Sequence, residues 1–278
     1  MKGKKICFIG SGNMAEALVR GLIRAGSAEA GDIETTDTRD EQLERFRASF
    51  GVRVSKDNRA AAKEAEVIIL SVKPQTMNKA LDQIASAIDP QKLVISIAAG
   101  VPIAAIEHKL GRGARIVRAM PNTPALVGAG ATEIASGEHA TDDDMAIAKA
   151  LFDAVGITVT VEEGLIDAVT GLSGSGPAYL FLIIEALSDA GVKVGLPRYT
   201  AMKLAAQTVF GSARLQIETG THPGQLKDQV TSPGGTAIAG LHTLEAGGLR
   251  TTLMNAVEAA TNRARELGQD FLAQSLGK

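Results

Sequence analysis

Cysteine is nearly absent from this sequence of 278 residues, and it has neither an excess of one charge nor a long apolar run. The single cysteine, Cys7, excludes an intramolecular disulfide framework, and its place in a strand pattern marks it as a packing residue. Lysine plus arginine, 29, nearly balances aspartate plus glutamate, 31, so no overall field points to nucleic acid or an anionic membrane surface. The apolar run after the lysines of MKGKKICFIG stops at Gly10, far short of a signal-peptide core. The stretch AYLFLII from Ala178 is ended by Glu185, too soon to span a bilayer. A soluble, cytoplasmic protein is expected, with no nucleic-acid or membrane partner. His108, His139, His222 and His242 show no metal-ligand spacing with one another or with Cys7, so no metal is expected.

What is present falls into two grammars. Through about residue 161, short apolar runs alternate with helical stretches, the pattern of βαβ units and a mainly parallel sheet. Strands are expected at 5–9, 33–36, 67–72, 93–97 and 115–120, and at 132–135 and 157–161 on either side of a helix starting near Thr141. Asp142, Asp143 and Asp144 read as the charged first turn of that helix. From Gly164 onward the chain has helical segments at 177–194, 197–219 and 249–268 and no convincing strand, which sets a domain boundary at 163/164. In the last segment Leu253, Ala256, Val257, Ala260, Ala264 and Leu267 make one stripe. The helix from Pro177 is apolar nearly all round over Ala178 to Ile184, as suits a helix covered on every side. A second subunit would cover it, or else the N-terminal half. Glu185, which interrupts it, is expected to make a structural hydrogen bond.

KICFIGSGNMAEALVRGLIRAG places Gly10, Gly12 and Ala15 between a strand and a helix. The first glycine permits a tight turn, the second lets a pyrophosphate approach the backbone, and the small third residue lets helix and strand pack closely. The helix start adds free amides and partial positive charge. The segment Gly10, Ser11, Gly12, Asn13, Met14 and Ala15 is therefore a candidate dinucleotide cradle in a Rossmann-like doubly wound α/β sheet. Asp37, at the end of the second strand, is placed for the adenosine ribose hydroxyls and favours NADH. Arg39 is placed for a 2′-phosphate and favours NADPH. The stretch Thr38-Arg39-Asp40-Glu41 also has the form of a helix capping box. Ligands in such sheets lie beyond the carboxyl ends of the strands. SVKPQ (71–75), SIAAG (96–100) and MPNTPA (120–125), the last containing Asn122, leave strands there and are candidates to border the nicotinamide.

In the second half, Gly174-Ser175-Gly176 precedes Pro177, and Ser232-Pro233-Gly234-Gly235-Thr236 repeats the design of hydroxyl, proline and exposed amides. Two helix starts of this kind would hold a small carboxylate without arginine, or are merely two capped helices. Taken in order, GSGNMA, SVKP, S-x-AAG, MPNTP, TGLSGSGPAY and HPGQLKDQVTSPGG resemble pyrroline-5-carboxylate reductases from about residue 5 to 268.

That resemblance implies a Rossmann-like domain, 1–163, followed by an all-helical dimerisation and substrate-binding domain, 164–278, assembled as dimers and often decamers. It implies reduction of L-1-pyrroline-5-carboxylate to L-proline by NADPH or NADH. Coenzyme contacts carry over to Gly10 to Ala15, to Asn58, to Ser71, Val72, Lys73 and Pro74, and to Ser96, Ala98, Ala99 and Gly100. Substrate contacts carry over to Val230, Ser232, Gly234, Gly235, Thr236 and Ala237. Thr236 and Ser175 are the candidate catalytic residues. One departure stands out. The family often has threonine at the second position after the paired glycines, where this chain has Ala237, one place beyond Thr236. Two rival readings are a β-hydroxyacid dehydrogenase, which would need a lysine early in the helix where PAYLFLII stands, and a non-catalytic nucleotide sensor.

Overall fold

The structure is a computed structural model that describes residues 1–111 and 113–276. Strand and helix alternate from the start: β1 (Ile6–Ile9), α1 (Asn13–Arg24), β2 (Ile33–Thr36), α2 (Asp40–Phe50), β3 (Arg53–Ser55), α3 (Asn58–Glu64), β4 (Val67–Leu70), α4 (Pro74–Ile84), β5 (Leu93–Ser96), α5 (Ile103–Leu110) and β6 (Arg115–Met120). The chain then reverses into β7 (Gly130–Ser136) and returns through α6 (Asp142–Asp153) to β8 (Gly156–Thr160). One sheet holds all eight strands in the order β3-β2-β1-β4-β5-β6-β7-β8. Pairing is parallel except between β6 and β7. β1 lies between β2 and β4, with Ile6 opposite Ile33 and Val67, so the winding reverses there and opens a crevice at the carboxyl ends of the strands.

The central strands are apolar without alternation because both faces are covered. In β1, Ile6 and Phe8 join the core cluster containing Leu18, Val19 and Leu22 of α1. Cys7 and Ile9 face the other cluster, with Met77, Leu81 and Ile84 of α4. Cys7 is thus a packing residue, fully buried, and burial pushes its thiol far above the ordinary range, with Glu34 adding to the effect. β4 and β5 end one or two residues earlier than the sequence suggests, which leaves SVKP and AAG in loops. β3 was not anticipated. It is a three-residue edge strand, RVS, too short and polar to show a period. The start of α6 matches its reading, since Thr141 and Asp144 form a reciprocal capping box.

After β8 the chain is helical, through α7 (Ile166–Val169), α8 (Gly176–Lys193), α9 (Arg198–Thr219), α10 (Pro223–Gln229), α11 (Thr236–Ala246) and α12 (Leu249–Ser275). Between α7 and α8, Thr170–Gly174 forms a π turn, and the Ser175 N–H donates to the Thr170 carbonyl at 2.8 Å. This corrects the reading of Gly174-Ser175-Gly176 as a helix start with exposed amides: the segment continues a helix already under way. α12 runs past residue 268 because Phe271 restores the apolar stripe and enters the core beside α4. Of the stripe expected in α12, Ala264 is buried, whereas Leu267 is 45% exposed.

The chain forms two compact units, residues 1–175 with 258–278, and residues 176–257. Compactness therefore divides the chain elsewhere than the change of grammar at 163/164. Ile166 is fully buried in the first unit, and the end of α12 is anchored there through Phe271. In the second unit Phe181 and Leu182 of α8 are 65% and 66% exposed. Glu185 is exposed and has no hydrogen bond of the kind expected of it among the described residues. No helix among those residues is long and apolar enough to cross a membrane.

Candidate functional site

The turn leaving β1 is shaped by its neighbours. Gly10 has φ of +105°, and a Cβ on it would lie 2.9 Å from the Ser71 carbonyl oxygen and from Val72 Cγ1. The end of β4 therefore requires glycine at that position. Gly12 is different. It stands at the cap of α1 with no side-chain cap, and a Cβ there would meet no protein atom within 4 Å. No protein contact demands its bareness, whereas a ligand approaching the backbone would. The first amides of α1, from Asn13 and Met14, have no partner within the helix and carry its positive end. Ala15 is fully buried against the sheet. Ser11 pins the turn from below: its Oγ is 2.7 Å from Thr35 Oγ1 and donates to the Thr36 carbonyl, while its own carbonyl accepts Gln42 Nε2 at 2.7 Å. This cradle fits a pyrophosphate.

Asp37 stands at the end of β2, as its spacing predicts, and all of its acceptor sites are in use. Oδ1 accepts the N–H and Nε of Arg39, both at 3.0 Å. Oδ2 accepts Arg39 Nη2 at 3.1 Å and the Ser11 N–H at 3.2 Å. Burial pushes this carboxyl up, but hydrogen bonds from the Arg39 side chain and backbone and from Ser11 outweigh it and hold the group below the usual range. Arg39 and Asp37 thus form one paired unit at the end of β2, tied to the turn through Ser11. The capping box proposed for Thr38 does not form; α2 opens from Arg39 without a side-chain cap.

The remaining coenzyme candidates of the sequence lie along the same sheet edge. Asn58 opens α3, accepts Thr36 Oγ1 at 2.6 Å and donates to Gln83 at 2.6 Å. Ser71 Oγ donates to the Gly10 carbonyl at 2.7 Å, Val72 packs against the core, and Lys73 is exposed where Pro74 begins α4. Ser96 and Ala98 are buried and Ala99 is half-buried. Gly100, with φ of +67°, faces Leu267 so closely that a Cβ would lie 3.2 Å from Leu267 Cβ. Asn122 Nδ2 donates to the Ser173 carbonyl at 3.0 Å, and its Oδ1 accepts the Ala131 N–H at 2.9 Å. Its side chain thus ties the loop after β6 to β7 and to the π turn.

In the second unit, α10 ends at Gln229, Val230 is 71% exposed, and the chain turns into α11. Gly234 has φ of +68°, and the Gly235 N–H donates to the Ser232 carbonyl at 3.0 Å. The positive φ makes glycine the fitting residue at 234, whereas a Cβ on Gly235 would require the Ser232 hydroxyl to move aside. α11 starts at Thr236 with no side-chain cap. The amides of Thr236, Ala237 and Ile238 are the first-turn donors that a helix leaves unsatisfied. Thr236 is exposed, and its hydroxyl has no partner among the described residues. A shallow groove of about 620 Å³ beside this start is lined by Gly234, Gly235, Ile238, His242, Lys227 and Arg250. His222 is a structural cap, its Nδ1 accepting the Gly224 N–H at 3.1 Å. Among the described residues no group of His, Cys, Asp or Glu is arranged to hold a metal ion.

Residues 163–267 match the family model described as pyrroline-5-carboxylate reductase dimerisation, and residues 5–100 match that of NADP oxidoreductase, coenzyme F420-dependent. A pyrroline-5-carboxylate reductase of Methanosarcina acetivorans is 49% identical over 269 residues, covering 97% of this chain and 100% of the relative. The chain belongs to the pyrroline-5-carboxylate reductase family. A pyrroline-5-carboxylate reductase of Arabidopsis thaliana is 49% identical over 95% of this chain and 96% of its own. The solved reductase of Coxiella burnetii matches with a TM-score of 0.90 at 43% identity, covering 95% of this chain and 98% of that one. That of Plasmodium falciparum, with NADP bound, matches at 0.87 and 34% identity over 96% and 99%. Membership of the pyrroline-5-carboxylate reductase family sets aside the β-hydroxyacid dehydrogenase reading.

Several residues that build the site escaped notice in the sequence. Gln42 and Thr35 fix Ser11 from positions whose spacing carries no motif. Glu133 and Ser173 meet near the end of β6, with Ser173 Oγ 3.2 Å from each carboxyl oxygen. Burial raises the Glu133 carboxyl above its usual range, against the hydrogen bond from Ser173. The available signal was one glutamate inside the strand run GATEIAS.

Proposed function

We propose that this chain reduces L-1-pyrroline-5-carboxylate to L-proline with NADPH or NADH, the last step of proline biosynthesis. The carrying observation is the exposed, unpartnered Thr236 hydroxyl at the uncapped start of α11, in a chain whose other uncapped glycine-rich helix start closes a dinucleotide cradle. Residues 1–163 act as the coenzyme part and 164–278 as the dimerisation and substrate part, in keeping with the family models matched over 5–100 and 163–267. Self-association is part of this reading, with dimers assembling into decamers as the higher state.

The coenzyme, when bound, supplies the hydride. The chain supplies position and electrostatics. Gly10, Gly12 and the first amides of α1 hold the pyrophosphate, and the loops at 71–74, 96–100 and 120–125 border the nicotinamide. The amides from Gly234 to Ala237 hold the substrate carboxylate, with Val230 and Ser232 at the flank. Thr236 offers a hydroxyl to the ring nitrogen from one place earlier than the family's usual threonine, and Ser175 is the second hydroxyl assigned to the reacting centre. Alignment of two reactants contributes up to roughly 7 to 11 kcal/mol in favourable cases, and an imine that enters with its ring nitrogen already protonated needs only the hydride at carbon to become the amine, so no buried acid or base is required.

The test is loss of reduced-coenzyme absorbance on adding the imine. Turnover with formation of proline is expected, and Thr236→Val should lower kcat/KM for the imine about tenfold, the loss of one hydrogen bond to a polar reactant. A folded chain that binds coenzyme and never turns over is the nucleotide sensor instead. Unchanged kcat and KM in Thr236→Val remove that residue from the chemistry.

A further inference from the structure

Glu133 is 9% exposed and lies opposite Met120, at the end of β6 where the coenzyme loops leave the sheet. Ser173 Oγ is 3.2 Å from both of its carboxyl oxygens and 3.2 Å from the Val169 carbonyl. A hydroxyl has one proton to donate. The Val169 carbonyl is the usual acceptor for a helical serine, four residues back, so Glu133 provides a competing hold that draws the hydroxyl toward the sheet. The main chain of the same residue is held too, because the Ser173 carbonyl accepts Asn122 Nδ2 while Asn122 Oδ1 accepts the Ala131 N–H. β7, the π turn and the loop after β6 are thereby joined in one polar tie. The turn also sits hard against β6, since a Cβ on Gly174 would lie 2.7 Å from Met120 Cε. A π turn is a rare departure from α geometry and occurs frequently at functional sites. Here it carries Ser175, whose N–H closes it.

We propose that Glu133 is a positioning residue for the reduction: by holding Ser173 it fixes the π turn and so sets where Ser175 stands at the coenzyme edge of the sheet. This rests on the reading of Ser175 as part of the imine-reducing centre. Burial, which raises the carboxyl, agrees with a group kept for its contact with Ser173 and not for exposure to solvent.

The test compares Glu133→Leu, Glu133→Gln, Ser173→Ala and the double variant Glu133→Leu/Ser173→Ala. Steady-state kinetics with the imine, coenzyme affinity and hydrogen exchange at the Ser175 amide are read on each. Glu133→Leu and Ser173→Ala should each lower kcat about tenfold, as expected for a small misplacement, with imine KM and coenzyme Kd within about twofold of the parent. The double variant should be no worse than either single one. Glu133→Gln, which keeps an acceptor for the hydroxyl, should recover most of the rate, and the Ser175 amide should lose protection only in Glu133→Leu, Ser173→Ala and the double variant. Retained kcat and retained protection in Ser173→Ala overturn the proposal, and so does a glutamine variant as impaired as the leucine one. Ser173→Ala leaves β7 untouched and decides the matter if Glu133→Leu does not fold. A parent that never reduces the imine overturns the functional reading alone, and exchange at Ser175 still decides whether Glu133 fixes the turn.

Discussion

At the scale of the residue, the proposed site puts coenzyme choice on Asp37 and Arg39 together, because the two are bonded to each other. A carboxylate has about four acceptor sites, and those of Asp37 are filled by Arg39 and Ser11. A ribose hydroxyl must displace one of these donors, and a 2′-phosphate must draw the guanidinium away. Arg39→Ala vacates two side-chain bonds and removes the only cation of the pair. Its kcat/KM for NADPH should fall about tenfold, the worth of one charged hydrogen bond, while that for NADH holds or rises. Parallel initial rates with the two coenzymes check this, and an equal fall in both would show that the pair only shapes the turn. The spacing from Gly10 made Asp37 legible in the sequence. The fork from Arg39 was not, because a residue two places on can serve a neighbouring carboxylate or a ligand with equal ease.

Among elements, the central strands β1, β4 and β5 were the most legible because each is covered on both faces and must be apolar throughout. Edge strand β3 carries no such demand and left no trace. The π turn was misread for a related reason: glycine and proline suit a helix start, and only the contacts of Ser173 and Gly174 with β6 and β7 keep an ongoing helix in place of one. α8 was legible as a helix with too little polar surface, and Phe181 and Leu182 lie on its exposed side. Phe181→Glu should shift sedimentation toward the monomer at micromolar concentration, since burying an unpaired carboxylate costs more than an interface gains at one position. An unchanged oligomer would place this face outside the contact.

For the molecule as a whole, the sheet and the family were readable from motif order, while the compact units were not. Their division depends on where Ile166 and Phe271 pack, and neither residue marks a boundary by type. The sheet also holds Cys7 at its centre, with β2 on one side and β4 on the other, and the sequence has no second thiol. A thiol-selective reagent must therefore wait for the sheet to part. Labelling should stay near zero in buffer, rise with urea in step with global opening, and slow when coenzyme is added, because a ligand that binds only the closed form lowers the open population. Rapid labelling in buffer would reveal a local opening of β1. One atom of sulfur thus serves as a built-in clock for the breathing of the whole α/β core.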